Sequence, residues 1–218
     1  MKKIFFVVLS AAIMAGCNSK KEENKTDNTA GNEKTSGNTD KKPAENTPKP
    51  DSATMMKNAQ EYMTPGPMQK MLASWAGDWN GEITMWMAPG APPEKMNVTT
   101  NNKSIMNGLY LESNDAGTMM GMPFMGRSIM GYNNHKKVFQ SMWIDNFGSG
   151  VIMMEGPWDE AAKTITIKGM MTDPSTKAET EMKQVIKIVD DNTQVWEMYV
   201  TADGKEFKNM EIKSTRKK

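Results

Sequence analysis

The chain has 218 residues, with 27 lysines and arginines against 26 aspartates and glutamates, one histidine, one cysteine and 24 methionines. So even a charge balance supplies no field of one sign to recruit nucleic acid or an anionic surface, and a single thiol excludes an internal disulfide.

Lys2 and Lys3 precede an apolar run from Ile4 to Ile13, which ends in Met14-Ala15-Gly16-Cys17. A positive n-region, a short apolar core and small residues at a cleavage point form a secretory signal. A cysteine placed directly after them makes the lipobox of a bacterial lipoprotein, with Met14 where leucine is usual. The apolar run is about half of the roughly 20 residues that a membrane-crossing helix needs. Residues 1–16 are therefore expected to leave as a signal peptide, and Cys17 to carry the lipid. Two or more acyl chains make a stable tether to the membrane. Asn18 stands where an aspartate would favour retention at an inner membrane, so the expected location is the cell envelope at the outer membrane, with its periplasmic or surface face left open.

From Asn18 to Thr54 there is no Val, Ile, Leu, Met, Phe, Tyr or Trp. Such a stretch cannot bury enough apolar surface to offset the entropy of ordering. Residues 17–54 read as the acylated cysteine and a disordered polar stalk, roughly 35 Å in root-mean-square span. The tract Lys20-Lys21-Glu22-Glu23 within it reads as a solvated charge run.

Residues 55–218 form the expected domain. Met68, Met71, Leu72 and Trp75 fall at helical spacing after the start signal Thr64-Pro65, so a short N-terminal helix opens it and Gly77 ends it. Period-two strands separated by turn residues follow. They cover Trp79 to Met87, Lys95 to Met106, Leu109 to Ser113, Phe124 to Tyr132, Lys137 to Asp145, Val151 to Glu155, Thr164 to Met171, Glu179 to Val189, Gln194 to Thr201 and Lys205 to Ser214. Asn107-Gly108 is the pair favoured by a type I′ hairpin turn. About ten strands with short connections and no crossover helices exclude a parallel sheet. The expected fold is all-β, an up-and-down antiparallel β-barrel of about ten strands that closes to remove its edges.

The pattern Leu72, Trp75, Gly77, Trp79, Gly108, Pro123-Phe124, Gly126, Gly131-Tyr132-Asn133-Asn134, Trp143-Ile144-Asp145 and Gly156 resembles the bacterial domain-of-unknown-function family 1579 over essentially Met63 to Arg216. The family's usual Gly-Tyr-Asp-Asn is Gly-Tyr-Asn-Asn here. The resemblance implies a calycin-like barrel related to lipocalins, and no established activity. The opening Trp75-x-Gly77-x-Trp79-x-Gly81 also resembles the start of the nitrobindin barrels, which hold haem through a late histidine. The one histidine here, His135, lies in the turn after Asn133-Asn134, which argues against haem by that route.

Between Met55 and the C-terminus the leucines are Leu72, Leu109 and Leu111. Methionine has taken over their packing work, a swap that changes volume little and leaves an adaptable interior. Met119, Met120, Met122 and Met125 are expected in one loop, where soft thioethers offer a subsidiary Cu(I) site; no other cofactor is expected. No nucleophile elbow, phosphate loop or His-Glu-x-x-His is present, and no carboxylate pair stands out, so catalytic residues are not assigned. The leading expectation is a tethered envelope lipoprotein whose barrel binds a small apolar or amphipathic ligand without catalysis. Its candidate contacts are Trp86, Tyr110, Arg127, Tyr132, Trp143 and Asp145. The alternative is a filled barrel whose outer surface docks a protein partner; exposed methionines and tryptophans on one outer face would favour it. Several strands are apolar on both faces, so alternation leaves open which face is inward.

Overall fold

The computed structural model describes residues 49–202 and 204–218, so residues 1–48, including Cys17 and most of the stalk, and Asp203 lie outside the described residues. Two helices open the domain, α1 (Ser52–Met63) and α2 (Pro67–Ser74). The first was not expected. It begins inside the tract read as stalk, where the Asp51 side chain accepts from the Thr54 amide at 2.8 Å. An aspartate N-cap satisfies one of the amides that a helix start leaves unpaired. The second matches the predicted apolar face: Leu72 and Trp75 are buried, and Met68 and Met71 pack against the same cluster. Gly77 follows with φ of +116°, a conformation that only glycine adopts without strain.

Eleven strands follow: β1 (Gly77–Met85), β2 (Glu94–Ile105), β3 (Tyr110–Met119), β4 (Met122–Asn133), β5 (Val138–Asp145), β6 (Ile152–Gly156), β7 (Trp158–Asp159), β8 (Thr164–Thr172), β9 (Glu179–Asp190), β10 (Thr193–Ala202) and β11 (Lys205–Arg216). Each pairs antiparallel with its sequence neighbours, except that β6 and the two-residue β7 both pair with β8, and β1 pairs with β11. The result is a closed ten-strand antiparallel barrel, as the strand count and short connections required. The β6–β8 seam is unusually close. A Cβ on Gly156 would collide with the Thr166 carbonyl, and one on Gly169 with the Met153 carbonyl. Glycine is needed there because only hydrogen fits between the two backbones.

Two turns differ from expectation. The Asn107-Gly108 connection is not a two-residue hairpin; Met106, Asn107 and Gly108 all have positive φ, the Leu109 amide bonds back to the Met106 carbonyl, and pairing resumes at Ile105 with Tyr110. Conversely, the stretch expected as a methionine loop is a tight hairpin. Met119 pairs with Met122, and Met120 and Gly121 occupy the corners at φ 51° and 76°. Two consecutive positive φ values define the type I′ turn that strand twist favours. In consequence β3 runs six residues beyond the expected Ser113 end.

The inward face is set by the residues that reach the core. The larger buried cluster joins Leu72 and Trp75 of the helical segment to Trp79, Leu111, Met130, Phe139, Met154, Ile165, Ile167, Met182 and Ile186. It lies at the barrel end that α2 covers. A smaller cluster of Ile83, Met85, Val98 and Phe124 lies toward the other end, with Met96, Met119, Trp143, Met210 and Ile212 packed against it.

Candidate functional site

Three sets of side-chain bonds fasten the helical segment over one barrel end. Gln69 Oε1 accepts from the Gly66 amide at 2.9 Å, while its Nε2 donates to the Tyr132 carbonyl at 2.9 Å and to Asn134 Oδ1 at 2.8 Å. Asn134 Nδ2 in turn donates to the carbonyls of Glu61 and Thr64. Arg216, at the far end of the chain, donates to the carbonyls of Ala76 and Ser74, both at 2.7 Å, and lies 4.4 Å over the Trp79 ring. A guanidinium is well suited to the carbonyls that a helix end leaves free. The Gly131-Tyr132-Asn133-Asn134 motif is thus a latch. Asn133 Oδ1 accepts from the amides of His135 and Lys136, a role that an aspartate would fill equally. His135 serves the same junction, with its ring nitrogen 3.1 Å from the Asn58 carbonyl and its ring centroid 5.0 Å from that of Tyr62.

Between the two apolar clusters the inward face is polar. Register aligns Trp79, Thr100, Asp115, Gly126 and Asp145 in one transverse row across β1 to β5. In the adjoining row Asn102 faces Ser113, and Ser113 faces Ser128. Thr100 donates its hydroxyl to the Asp115 carboxylate. Burial pushes that carboxyl up to about 6, against the smaller opposing effect of the Thr100 bond. The Trp143 indole lies over Gly126, where any side chain would collide with it, so the ring is brought beside Asp115. Asn102 Nδ2 donates to the Trp75 carbonyl at 3.1 Å, but its buried Oδ1 accepts nothing among the described residues. Strand alternation also places no lysine or arginine at an inward position on β1 to β6; the acids there are Glu94 at the rim, Asp115 and Asp145.

Several inward side chains of this half keep solvent access. Met96, Thr100, Ser113, Asp115, Ser128, Trp143, Met210 and Ile212 remain only half-buried. Cross-strand register sets Met85 beside Met210, and Met210 beside Met198, on the same inner wall.

Of the residues singled out from sequence, the barrel brings three to its inner face. Tyr132 packs edge-on against Phe139 with centroids 5.0 Å apart. Trp143 donates from Nε1 to Asp145 Oδ2 at 2.7 Å, and Asp145 Oδ1 accepts from the amides of Phe147 and Gly148. The other three stand elsewhere. Tyr110 and Arg127 face outward, because Leu111 and Met130 take the core on their strands; Tyr110 covers Gly131, and Arg127 pairs with Glu112. Trp86 lies just past β1 with the Lys208 ammonium 5.6 Å from its ring centroid. The four methionines proposed for soft-metal binding are divided by strand alternation: Met119 packs against the inner cluster, Met120 sits at the turn, and Met122 and Met125 are exposed, Met125 on the outer face. Among the described residues no three His, Cys, Asp or Glu side chains converge as a metal site.

Asp115 and Thr100 were missed. With β3 expected to stop at Ser113, Asp115 fell in a loop; extending the alternation Leu111, Ser113, Asp115, Gly117, Met119 would have put it in step with the core.

The outer face carries a contrasting acid. Burial pushes the Glu197 carboxyl up, but hydrogen bonds from Lys187 and Tyr199, with the charges of Lys187 and Lys208, hold it below the usual range overall. Lys187 Nζ is 2.8 Å from Glu197 Oε2, and Lys208 Nζ is 3.5 Å from Oε1.

No protein among those curated for function matches the chain. A solved structure described as that of Rv2717c from M. tuberculosis is similar, with a TM-score of 0.54 and 13% identity, covering 71% of this chain and 100% of that one. At that identity the likeness is one of fold. The family model described as a protein of unknown function, DUF1579, matches residues 64–216. The chain therefore belongs to the DUF1579 family of proteins of unknown function.

Proposed function

We propose that this is a lipid-anchored envelope protein whose barrel holds a small apolar or amphipathic ligand without transforming it. The observation that carries the reading is the half-buried inner wall around Asp115 and Trp143, between the larger packed cluster and the smaller one toward the end that α2 does not cover. Binding sites are mostly apolar with a few placed polar groups, and adaptable methionines suit a variable occupant. The test is native mass spectrometry of the full chain, combined with displacement of an environment-sensitive apolar fluorophore by fatty acids and fatty alcohols. Co-purified mass or displacement is expected; an empty chain unresponsive to all of them overturns the reading.

The anchor rests on Lys2, Lys3, the apolar run and Cys17. Cys17→Ser is expected to abolish labelling by radioactive fatty acid and to release the protein from the membrane fraction. Retention of both would remove the tether from the proposal.

One observation favours a second reading, a docked protein partner. Ile129, Met142, Met153 and Met170 are successive cross-strand neighbours on the outer face of β4, β5, β6 and β8. Met153 is 59% and Met170 50% exposed. An open groove of about 400 Å³ follows the row past Tyr110, Glu155 and Lys168. Met153→Glu together with Met170→Glu is expected to abolish crosslinks formed in intact cells if this face docks a partner; unchanged crosslinks would exclude it.

A further inference from the structure

We infer that the barrel interior selects an amphiphile whose polar head is a protonated amine, held between Asp115, Thr100 and Trp143. The inference rests on the ligand-binding reading and names its ligand class.

Around Asp115 the inward polar groups are carboxylates and the hydroxyls of Thr100, Ser113 and Ser128, with no inward positive charge on β1 to β6. Among the described residues Asp115 receives one side-chain hydrogen bond, from Thr100. A primary ammonium brings the positive charge that this wall lacks, with N–H donors for the carboxylate oxygens that the single Thr100 bond leaves free. A carboxylate head would meet Asp115 as a like charge and would find no inward lysine or arginine on β1 to β6. Arg216 faces the same row three strands away, but its guanidinium is held by the carbonyls of Ser74, Ala76 and Asp191. Asp145, at the other end of the row, is occupied by the Trp143 indole and two amides, and adds to the negative field.

Trp143 supplies the second element. Its ring lies over Gly126, between Asp115 and Asp145 in the register. A cation beside an indole is stabilised by the ring quadrupole, most strongly where water is scarce. Burial raises the pKa of the Asp115 carboxyl to about 6; a cation beside it would favour the ionised form. The tail would lie against the half-buried Met96, Met119, Met210 and Ile212.

The test measures binding of dodecylammonium, dodecanoate and dodecanol to the full chain at pH 7.5, below their micellar concentrations, by tryptophan fluorescence and calorimetry. The amine is expected to bind at least about tenfold tighter than the other two. Asp115→Asn, with Asp115→Ser as a second variant and a melting curve for each, is expected to bring the ratio of dodecylammonium to dodecanol affinity down to about one. Equal affinities, a preference for the carboxylate, or an amine preference that survives in a folded Asp115 variant would overturn the inference and leave the ligand-binding reading standing. If none of the three binds, both fall.

Discussion

At the helix-covered end of the barrel five inward side chains have left water almost altogether: Phe139, Ile165, Ile167 and Ile186 are 0% exposed and Trp79 1%. Toward the other end Met96, Met119, Trp143, Met210 and Ile212 also point inward, yet they stay half-buried. The strands and their alternation are the same, so the pattern of the sheet does not produce the difference. It comes from α2, which Gln69, Asn134 and Arg216 bind to one end, while no helix among the described residues covers the other. The two ends divide the work. One carries most of the packing that stabilises the barrel, and the other keeps inner wall available.

The most direct way to break this comparison is to truncate a side chain at each end. Phe139→Ala is expected to lower the unfolding free energy by about 3–5 kcal/mol, the range for a fully buried aromatic. Met210→Ala, from a wall that is already half accessible, is expected to cost about 1 kcal/mol. Urea unfolding of both variants is the measurement, and equal losses would show that the two ends are packed alike.

Asp115 sharpens the contrast through pH. Its folded-state pKa of about 6 lies above the ordinary 3.8, so folding takes up a proton between those values. Its contribution to stability is most favourable below about pH 4 and declines as pH rises through about 6. Asp115→Asn keeps an acceptor for Thr100 and removes the charge. It is expected to stabilise the protein by about 1–3 kcal/mol at pH 8 and by almost nothing at pH 4. A gain independent of pH would mean that the carboxyl is not desolvated.

Arg216→Ala tests the covering itself. Loss of its bonds to the helix-end carbonyls is expected to cost about 1–2 kcal/mol and to raise binding of an apolar dye as the covered end loosens. Unchanged dye binding would show that α2 stays seated without it. The smallest expected effect is on the outer face. Glu197 has a lowered pKa, so its contribution is present at neutral pH and is lost as pH falls through and below the ordinary 4.5. The deficit of Glu197→Gln relative to the parent, followed by thermal melts, is expected to close on acidification, opposite to the trend for Asp115→Asn.

Much of this architecture was legible. The apolar face of Met68, Met71, Leu72 and Trp75 gave α2, and turn residues at regular spacing gave the strands and their antiparallel, sequential order. Helix α1 was not legible, because Ser52–Met63 buries no residue and its signal is a single aspartate cap. The methionine hairpin was misread as a loop, because Met120 is an uncommon residue at positive φ and carried no turn signal. That error hid Asp115, the residue on which the site now turns. Trp143, Tyr132 and Asp145 were singled out, but so were Tyr110 and Arg127, which the parity of Leu111 and Met130 sends to the outside.

The sequence by itself determined α2, most of the strands, their order and the need to close, because alternation, turn chemistry and unpaired edges are local or nearest-neighbour matters. Only the tertiary structure decided which face is inward and which end is covered. Where both faces of a strand are apolar, the choice depends on what packs against them from residues far away in the chain: Arg216 on Trp79, Gln69 on Tyr132 and Asn134, and β6 on β8 across two glycines.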